Sequence, residues 1–183
     1  MMGKRKVSIF SILALIIGLS GLGLGVYSLY NYQQLVNQVE PPKPLVRASL
    51  AFSYSTPSTI WTPINFDVLD YDVTSDFNLT TDKFICPTSG YYFISGMVTF
   101  GGMQDGEAIY ALAFIEGYLK SWVIARAAHS TILSASFTDI VYLNEGDYVE
   151  LQVYHTGSGS RDIFGDSVGI YTYLTIVATD ILN

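Results

Sequence analysis

Beyond Leu45 the dominant pattern along the chain is alternation with a period of two. In 147–155, Val149, Leu151 and Val153 fall on one side, and Tyr148, Glu150, Gln152 and Tyr154 on the other. In 133–143, Leu133, Ala135, Phe137, Val141 and Leu143 share a side that Asp139 interrupts, and in 168–178 Val168, Ile170, Leu174 and Ile176 share one. Tyr91–Phe100 is apolar on both sides, as a central strand between two packed layers is, and Phe84, Tyr92 and Phe93 are expected to supply large buried area. Glycine and proline punctuate these runs at Pro87, Gly90, Gly101-Gly102, Gly106, Gly117, Gly146, Gly157, Gly159 and Gly165. The pattern predicts strands over 46–55, 60–69, 78–85, 90–101, 107–116, 118–128, 132–143, 146–155 and 168–180. Strands at this spacing stack into an all-β sandwich or jelly roll, and 45–183 is long enough to enclose one core.

The pattern before Leu45 is different. Val7–Tyr30 is an uncharged run of 24 residues, about 36 Å as a helix and long enough to cross a hydrocarbon core. Lys4, Arg5 and Lys6 precede it, and Tyr27, Tyr30 and Tyr32 cluster at its far end. The expected topology is a basic cytoplasmic tail (1–6), a transmembrane signal anchor (7–30) and a C-terminal body outside. A cleaved signal peptide, which would leave the body secreted, shares the basic start, although no A-x-A site follows the run. Leu29, Tyr32, Val36 and Val39 step by three, four and three, a short helical stripe able to orient chains already held side by side. Pro41, Pro42 and Pro44 end any helix, so 31–44 reads as a short stalk and stiff linker.

Charge sharpens this division. The whole chain carries −7, but the residues from Leu45 onward hold five basic side chains against fifteen acidic ones, about −10. Such a body does not suit nucleic acid. One cysteine, Cys86, rules out an internal disulfide framework and multi-thiolate metal sites, and reads as a small core hydrophobe. The two histidines, His129 and His155, stand next to Ser130 and Thr156, but neighbours in sequence do not make a nucleophile–base pair, and no enzymatic activity is expected.

Three features remain as candidate sites. Asp67, Asp70, Asp72 and Asp76, with Asn65 and Asn78 beside them, supply oxygen ligands at short spacing, readable as a calcium loop or as a solvated acidic loop. Asn78-Leu79-Thr80 is a glycosylation sequon in an exported domain. The chain has fourteen tyrosines, and Tyr148, Tyr154, Tyr171 and Tyr173 lie opposite the predicted core sides of their strands. They read equally as interface residues or as cross-strand aromatic pairs on a wet face.

Phe84-Ile-Cys86-Pro87 followed by Gly90-Tyr91-Tyr92-Phe93 is similar to the F-x-C-P…G-x-Y-x-F core of the C1q globular head. Leu143-Asn-Glu-Gly146-Asp147-Tyr-Val149-Glu-Leu151-Gln-Val153 is similar to its L-x-x-G-D-x-V-x-L-x-V strand. With Ala48–Tyr54 as the first strand and Pro63–Phe66 as the next segment, the body resembles the C1q/tumour-necrosis-factor jelly roll from about Ala48 to Leu182. A membrane helix stands where many members have a collagen stalk, and Val168–Leu174 departs from the family's closing motif. The resemblance implies a homotrimer that binds rather than turns over, with aromatics at the subunit contact and Asp147 as a calcium ligand near the trimer axis. The function implied is extracellular recognition or adhesion toward a protein or glycan. A structural role, in which the head drives trimerisation of a cell-envelope component, is the alternative.

Overall fold

The computed structural model describes residues 25, 27–31, 33, 42–129 and 131–179. It separates into two units, Met1–Pro41 and Pro42–Asn183. In the first, residues 27–31 are helical; most of the predicted membrane helix, and Tyr32, Val36 and Val39 of the stripe, lie outside the described residues. Among the described residues no helix is long and apolar enough to cross a membrane.

The second unit is a two-layer antiparallel β-sandwich. Its strands are β1 (Leu45–Ser49), β2 (Tyr54–Thr56), β3 (Thr62–Pro63), β4 (Val68–Asp72), β5 (Phe77–Asn78), β6 (Lys83–Ile85), β7 (Gly90–Met103), β8 (Ala108–Ile115), β9 (Tyr118–Arg126), β10 (Thr131–Leu143), β11 (Tyr148–His155), β12 (Arg161–Ile163) and β13 (Tyr173–Ala178). A seven-stranded sheet runs β2-β12-β7-β13-β1-β4, with β10 also paired to β7. A six-stranded sheet runs β5-β6-β11-β8-β9, with β3 also paired to β11. The strands cross repeatedly between the sheets, as in a jelly roll.

The period-two pattern explains the layers. Val46, Ala48, Tyr92, Ile94, Val98, Phe100, Ala135, Phe137, Leu174 and Ile176 point inward from the seven-stranded sheet. Phe84, Ile109, Ala111, Ala113, Val149, Leu151 and Val153 meet them from the six-stranded sheet. Phe84 and Tyr92, both almost fully buried, pack across the core with ring centroids 5.7 Å apart. Their burial supplies much of the apolar contact that joins the layers.

Several expected elements are shorter. The run 46–55 breaks after Ser49, where Asp67 carboxylate oxygens accept the Ala51 and Phe52 amides at 2.6 and 3.1 Å. The run 78–85 is two short strands joined by a turn in which Asn78 Oδ1 accepts the Thr80 amide at 2.8 Å. The predicted strand at 168–180 begins only at Tyr173. Gly169 sits at φ 65° in a turn closed by Asp166, whose Oδ1 accepts the Ile170 amide, and Val168 and Ile170 are exposed. Phe93, expected in the core with Tyr92, is half-buried on the opposite face of β7. At Gly90 an added Cβ would meet open space, so its backbone does not demand glycine, whereas Gly146 (φ 88°) adopts a left-handed turn that does.

Candidate functional site

The most concentrated chemistry on the surface is aromatic, on the outer face of the six-stranded sheet. Register fixes it: β11, β8 and β9 place Tyr154, Tyr110 and Ile124 in one cross-strand row, and Gln152, Leu112 and Trp122 in the next. Phe114 follows two residues along β8, while Ala111 and Ala113 fill the core beneath. Trp61, just before β3, lies over this sheet with its ring centroid 5.1 Å from Tyr154, 6.2 Å from Tyr110 and 6.4 Å from Phe114. The last two contacts are edge-on, and Tyr110 meets Tyr154 edge-on at 5.5 Å. Edge-to-face contacts of this kind orient rings as well as attract them. Trp61 remains 43 % exposed and Trp122 54 %, so two indoles face solvent from one sheet.

Trp61 ends an arm, 57–61, that leaves β2 and returns to the sheet at β3. Thr59 within it takes φ 61°, a conformation that a β-branched side chain disfavours by about 1–3 kcal/mol. Hydrogen bonds to the end of β11 hold the arm: the Thr59 amide donates to the His155 carbonyl at 3.0 Å, and the Ser58 hydroxyl donates to the Gly157 carbonyl.

His155 is buried between the sheets, its ring 5.5 Å from Phe100. Nδ1 accepts the Gly157 amide at 3.2 Å, which leaves the proton on Nε2, 3.3 Å from the Thr56 carbonyl oxygen. Burial pushes its pKa below the ordinary histidine value. Beside it Arg161 donates to both oxygens of Glu107 at 3.0 and 2.6 Å, and those oxygens also accept the Gln104 and Ser158 amides. The Arg161 hydrogen bonds hold the Glu107 carboxyl down at about 2.

The residues singled out in the sequence are dispersed. Tyr154 belongs to the aromatic cluster. Tyr148 is on the same sheet, under the Lys83 ammonium at 3.8 Å. Tyr173 lies on the outer face of the other sheet, stacked under the Arg47 guanidinium at 3.9 Å, and Tyr171 meets Phe164 edge-on in a loop. The four acidic residues cap and pin loops: Asp67 as above, Asp70 on Arg47 and Ser49, Asp72 on the amides of Asp76 and Phe77, and Asp76 on the Thr74 hydroxyl. The Asn65 amide donates to the Tyr54 hydroxyl, and the Asn78 side chain is exposed at its turn. Asp147 Oδ2 accepts the backbone and side-chain N–H groups of Asn144, closing the β10–β11 turn. Among the described residues no group of three or more His, Cys, Asp and Glu side chains is arranged to hold a metal ion.

His129 is exposed and Ser130 lies outside the described residues. The Thr156 hydroxyl accepts the Ala108 amide at 2.8 Å. Cys86 is buried with Sγ 3.2 Å from the Thr88 carbonyl oxygen, and burial raises its pKa. Sequence reasoning missed Trp61, Tyr110, Phe114 and Trp122. The alternation Tyr110-Ala-Leu-Ala-Phe114 carried the signal for two of them. Trp61 carried none, because 60–69 reads as one uninterrupted strand.

The fold and its surface define a jelly-roll module with an exposed aromatic sheet. The sequence matches the C1q domain family over residues 49–173, and the chain belongs to that family. Similar solved structures include the globular domain of zebrafish complement 1qA protein, at 14 % identity and TM-score 0.56, covering 75 % of this chain and 97 % of that one. Eiger TNF from S. frugiperda is similar at 12 % identity and TM-score 0.61, covering 78 % and 96 %. Murine APRIL is similar at 12 % identity and TM-score 0.57, covering 75 % and 100 %. At such identities the likeness is one of fold. Domains of this C1q/TNF-like class are generally extracellular, trimeric binding modules.

Proposed function

We propose that this protein is a membrane-anchored, extracellular recognition or adhesion module that acts as a homotrimer and binds without turnover. The observation that carries the recognition reading is the cluster of Trp61, Tyr110, Phe114 and Tyr154, with Trp122 beside it: large rings on one sheet, of which the two indoles are exposed and the other three half-buried. The anchor rests on Lys4-Arg5-Lys6 before the uncharged run 7–30.

Assembly falls to the other face. Cross-strand register aligns Ile140, Phe93, Val177 and Leu45 in one apolar row on the seven-stranded sheet, with Tyr91 and Tyr142 next to it. Chains held side by side at the membrane raise the local concentration of heads, which favours contact through this row. Three bodies of about −10 repel one another. Calcium shared by Asp147 of several copies would offset that repulsion. A role in envelope assembly alone, favoured by the same apolar row, is the second reading.

The test uses the full chain in detergent. Light scattering reports a trimer for the wild type and a smaller species for Ile140→Glu. Fluorescently labelled full-length protein binds intact cells saturably, and Trp61→Ala loses that binding while remaining trimeric. Binding retained by Trp61→Ala would remove the aromatic face from recognition, and a trimer with no saturable binding would leave the assembly role. A monomer in both wild type and Ile140→Glu would refute the trimer. On intact cells, external protease digests the body beyond about residue 45 and spares the N-terminus; a protected body would overturn the topology.

A further inference from the structure

The arm that presents Trp61 is fastened at two points, the Thr59 amide on the His155 carbonyl and the Ser58 hydroxyl on Gly157, and Gly157 is itself fastened to the His155 ring. The Gly157 amide donates to His155 Nδ1, and its carbonyl accepts the Ser58 hydroxyl of the arm. The fit is close: a Cβ on Gly157 would come within 3.0 Å of His155 Nδ1 and Arg161 Nε, and 3.2 Å of Glu107 Oε2. The geometry points to His155 as an acid-operated latch: a proton arriving at Nδ1 turns Gly157 away and frees the arm that carries Trp61. The inference rests on the reading of the aromatic cluster as the recognition surface and assigns that surface a control.

A neutral imidazole has one acceptor nitrogen, and here it is Nδ1, already used by an N–H. Protonation sets two N–H groups against each other across 3.2 Å, and one must leave. Of the other surroundings of the ring, the Pro57 carbonyl of the arm and Glu107 favour the charge, and burial and Arg161 oppose it. From β2 the Thr56 carbonyl accepts from Nε2 in either state. From β7 comes the Phe100 ring, whose face would favour a cation only weakly. Arg161 of β12 repels a second positive charge, and Glu107, just before β8, attracts it. Both Glu107 oxygens are already committed to Arg161 and to two backbone amides, so neither turns to the imidazolium without breaking that pair. The Gly157 amide therefore yields. The left-handed Thr59 gives the arm a reason to move once its Ser58 bond is released. The burial that lowers the histidine pKa places the switch on the acid side of the ordinary range.

The experiment reads Trp61 without any ligand. In the full-length Trp122→Phe protein in detergent, Trp61 is the one remaining tryptophan. Its emission and acrylamide quenching are followed from pH 7.5 to 4.8, with circular dichroism as a check on the fold. The expected result is a reversible one-proton transition below pH 6.5, with quenching rising about twofold while the β signal stays constant. His129→Gln retains the transition and His155→Gln loses it. Gly157→Ala displaces the hub while keeping the histidine, so Trp61 is already quenched at pH 7.5 and responds no further to acid. A Trp61 signal flat with pH in the parent protein, a transition that survives His155→Gln, or a Gly157→Ala protein that behaves like its parent overturns the latch. If Trp61 is flat with pH while binding still requires it, the latch alone fails. If Trp61 titrates while binding is indifferent to it, the recognition surface fails and the latch stands.

Discussion

The two outer faces of the sandwich come from the same alternation and are built differently. On the seven-stranded sheet Arg47 organises its surroundings. It donates to Asp70 at 3.0 Å, to the Thr175 hydroxyl at 3.2 Å and to the Gly169 carbonyl at 2.7 Å, and it stacks on Tyr173. That face is tied together within the sheet and carries the apolar row of Ile140, Phe93, Val177 and Leu45. On the six-stranded sheet the centre is held by ring contacts, and its outermost member, Trp61, is fixed from one end by two hydrogen bonds of its arm, to the His155 and Gly157 carbonyls. A face braced by a guanidinium network keeps one shape. A face capped by an indole on a pinned arm can be released as a unit, because few bonds decide its position.

The strongest way to test this contrast is to remove what both faces stand on. Tyr92→Ala empties a buried ring site between the sheets and should cost about 3–5 kcal/mol in chemical denaturation. Phe93→Ala, one residue along and on the outer face, should cost about 1–2 kcal/mol. Equal losses would mean that β7 is turned over.

Next comes the polar end of the core. Arg161→Met leaves Glu107 without its partner and should cost about 2 kcal/mol at pH 7. Acid resolves two contributions there. The folded-state pKa of His155 is lowered, so its neutral form supports the fold fully above about pH 6.5, and that support falls as the pH drops below the unfolded value. The carboxyl of Glu107 is lowered to about 2 from 4.5, so its contribution is intact above pH 4.5 and is lost between 4.5 and 2. Denaturation midpoints measured from pH 7.5 to 2.5 should fall in two stages. His155→Gln should remove the first stage, and Glu107→Gln the second. A single stage unaffected by either substitution would contradict the arrangement.

The smallest effects separate the faces most cleanly. Arg47→Ala and Trp61→Ala should each cost about 1 kcal/mol, since both side chains are partly exposed. Amide exchange should rise around Gly169 and Thr175 in the first variant and around Thr59 and Gly157 in the second. Exchange that spreads to both sheets in either variant would show that the faces are coupled through the core.

The sequence by itself determined the class of fold and the buried sides of β10 and β11. Alternation at 132–143 and 146–155 is a local property, read correctly because the two faces of each strand had distinct chemistry, whereas 91–100 is apolar on both sides and only its packing decided which face is buried. The same rule misled at 168–172, where alternating Val168 and Ile170 sit in a turn made by Gly169 and Asp166. It also misplaced Phe93, whose neighbour Tyr92 took the core position. The acidic cluster could be read as ligands or as loop; its amide partners, Ala51 and Phe52 for Asp67 and Phe77 for Asp72, became visible only in the fold. Tertiary structure alone decided that Trp61, Tyr110, Phe114 and Tyr154 form one surface. They come from three strand regions far apart in sequence, and only register sets them side by side. It alone decided, too, that His155 meets Gly157 with Glu107 and Arg161 behind it: a hydrogen-bond acceptor is assigned by its donor, and no pattern along a chain reveals which donor that will be.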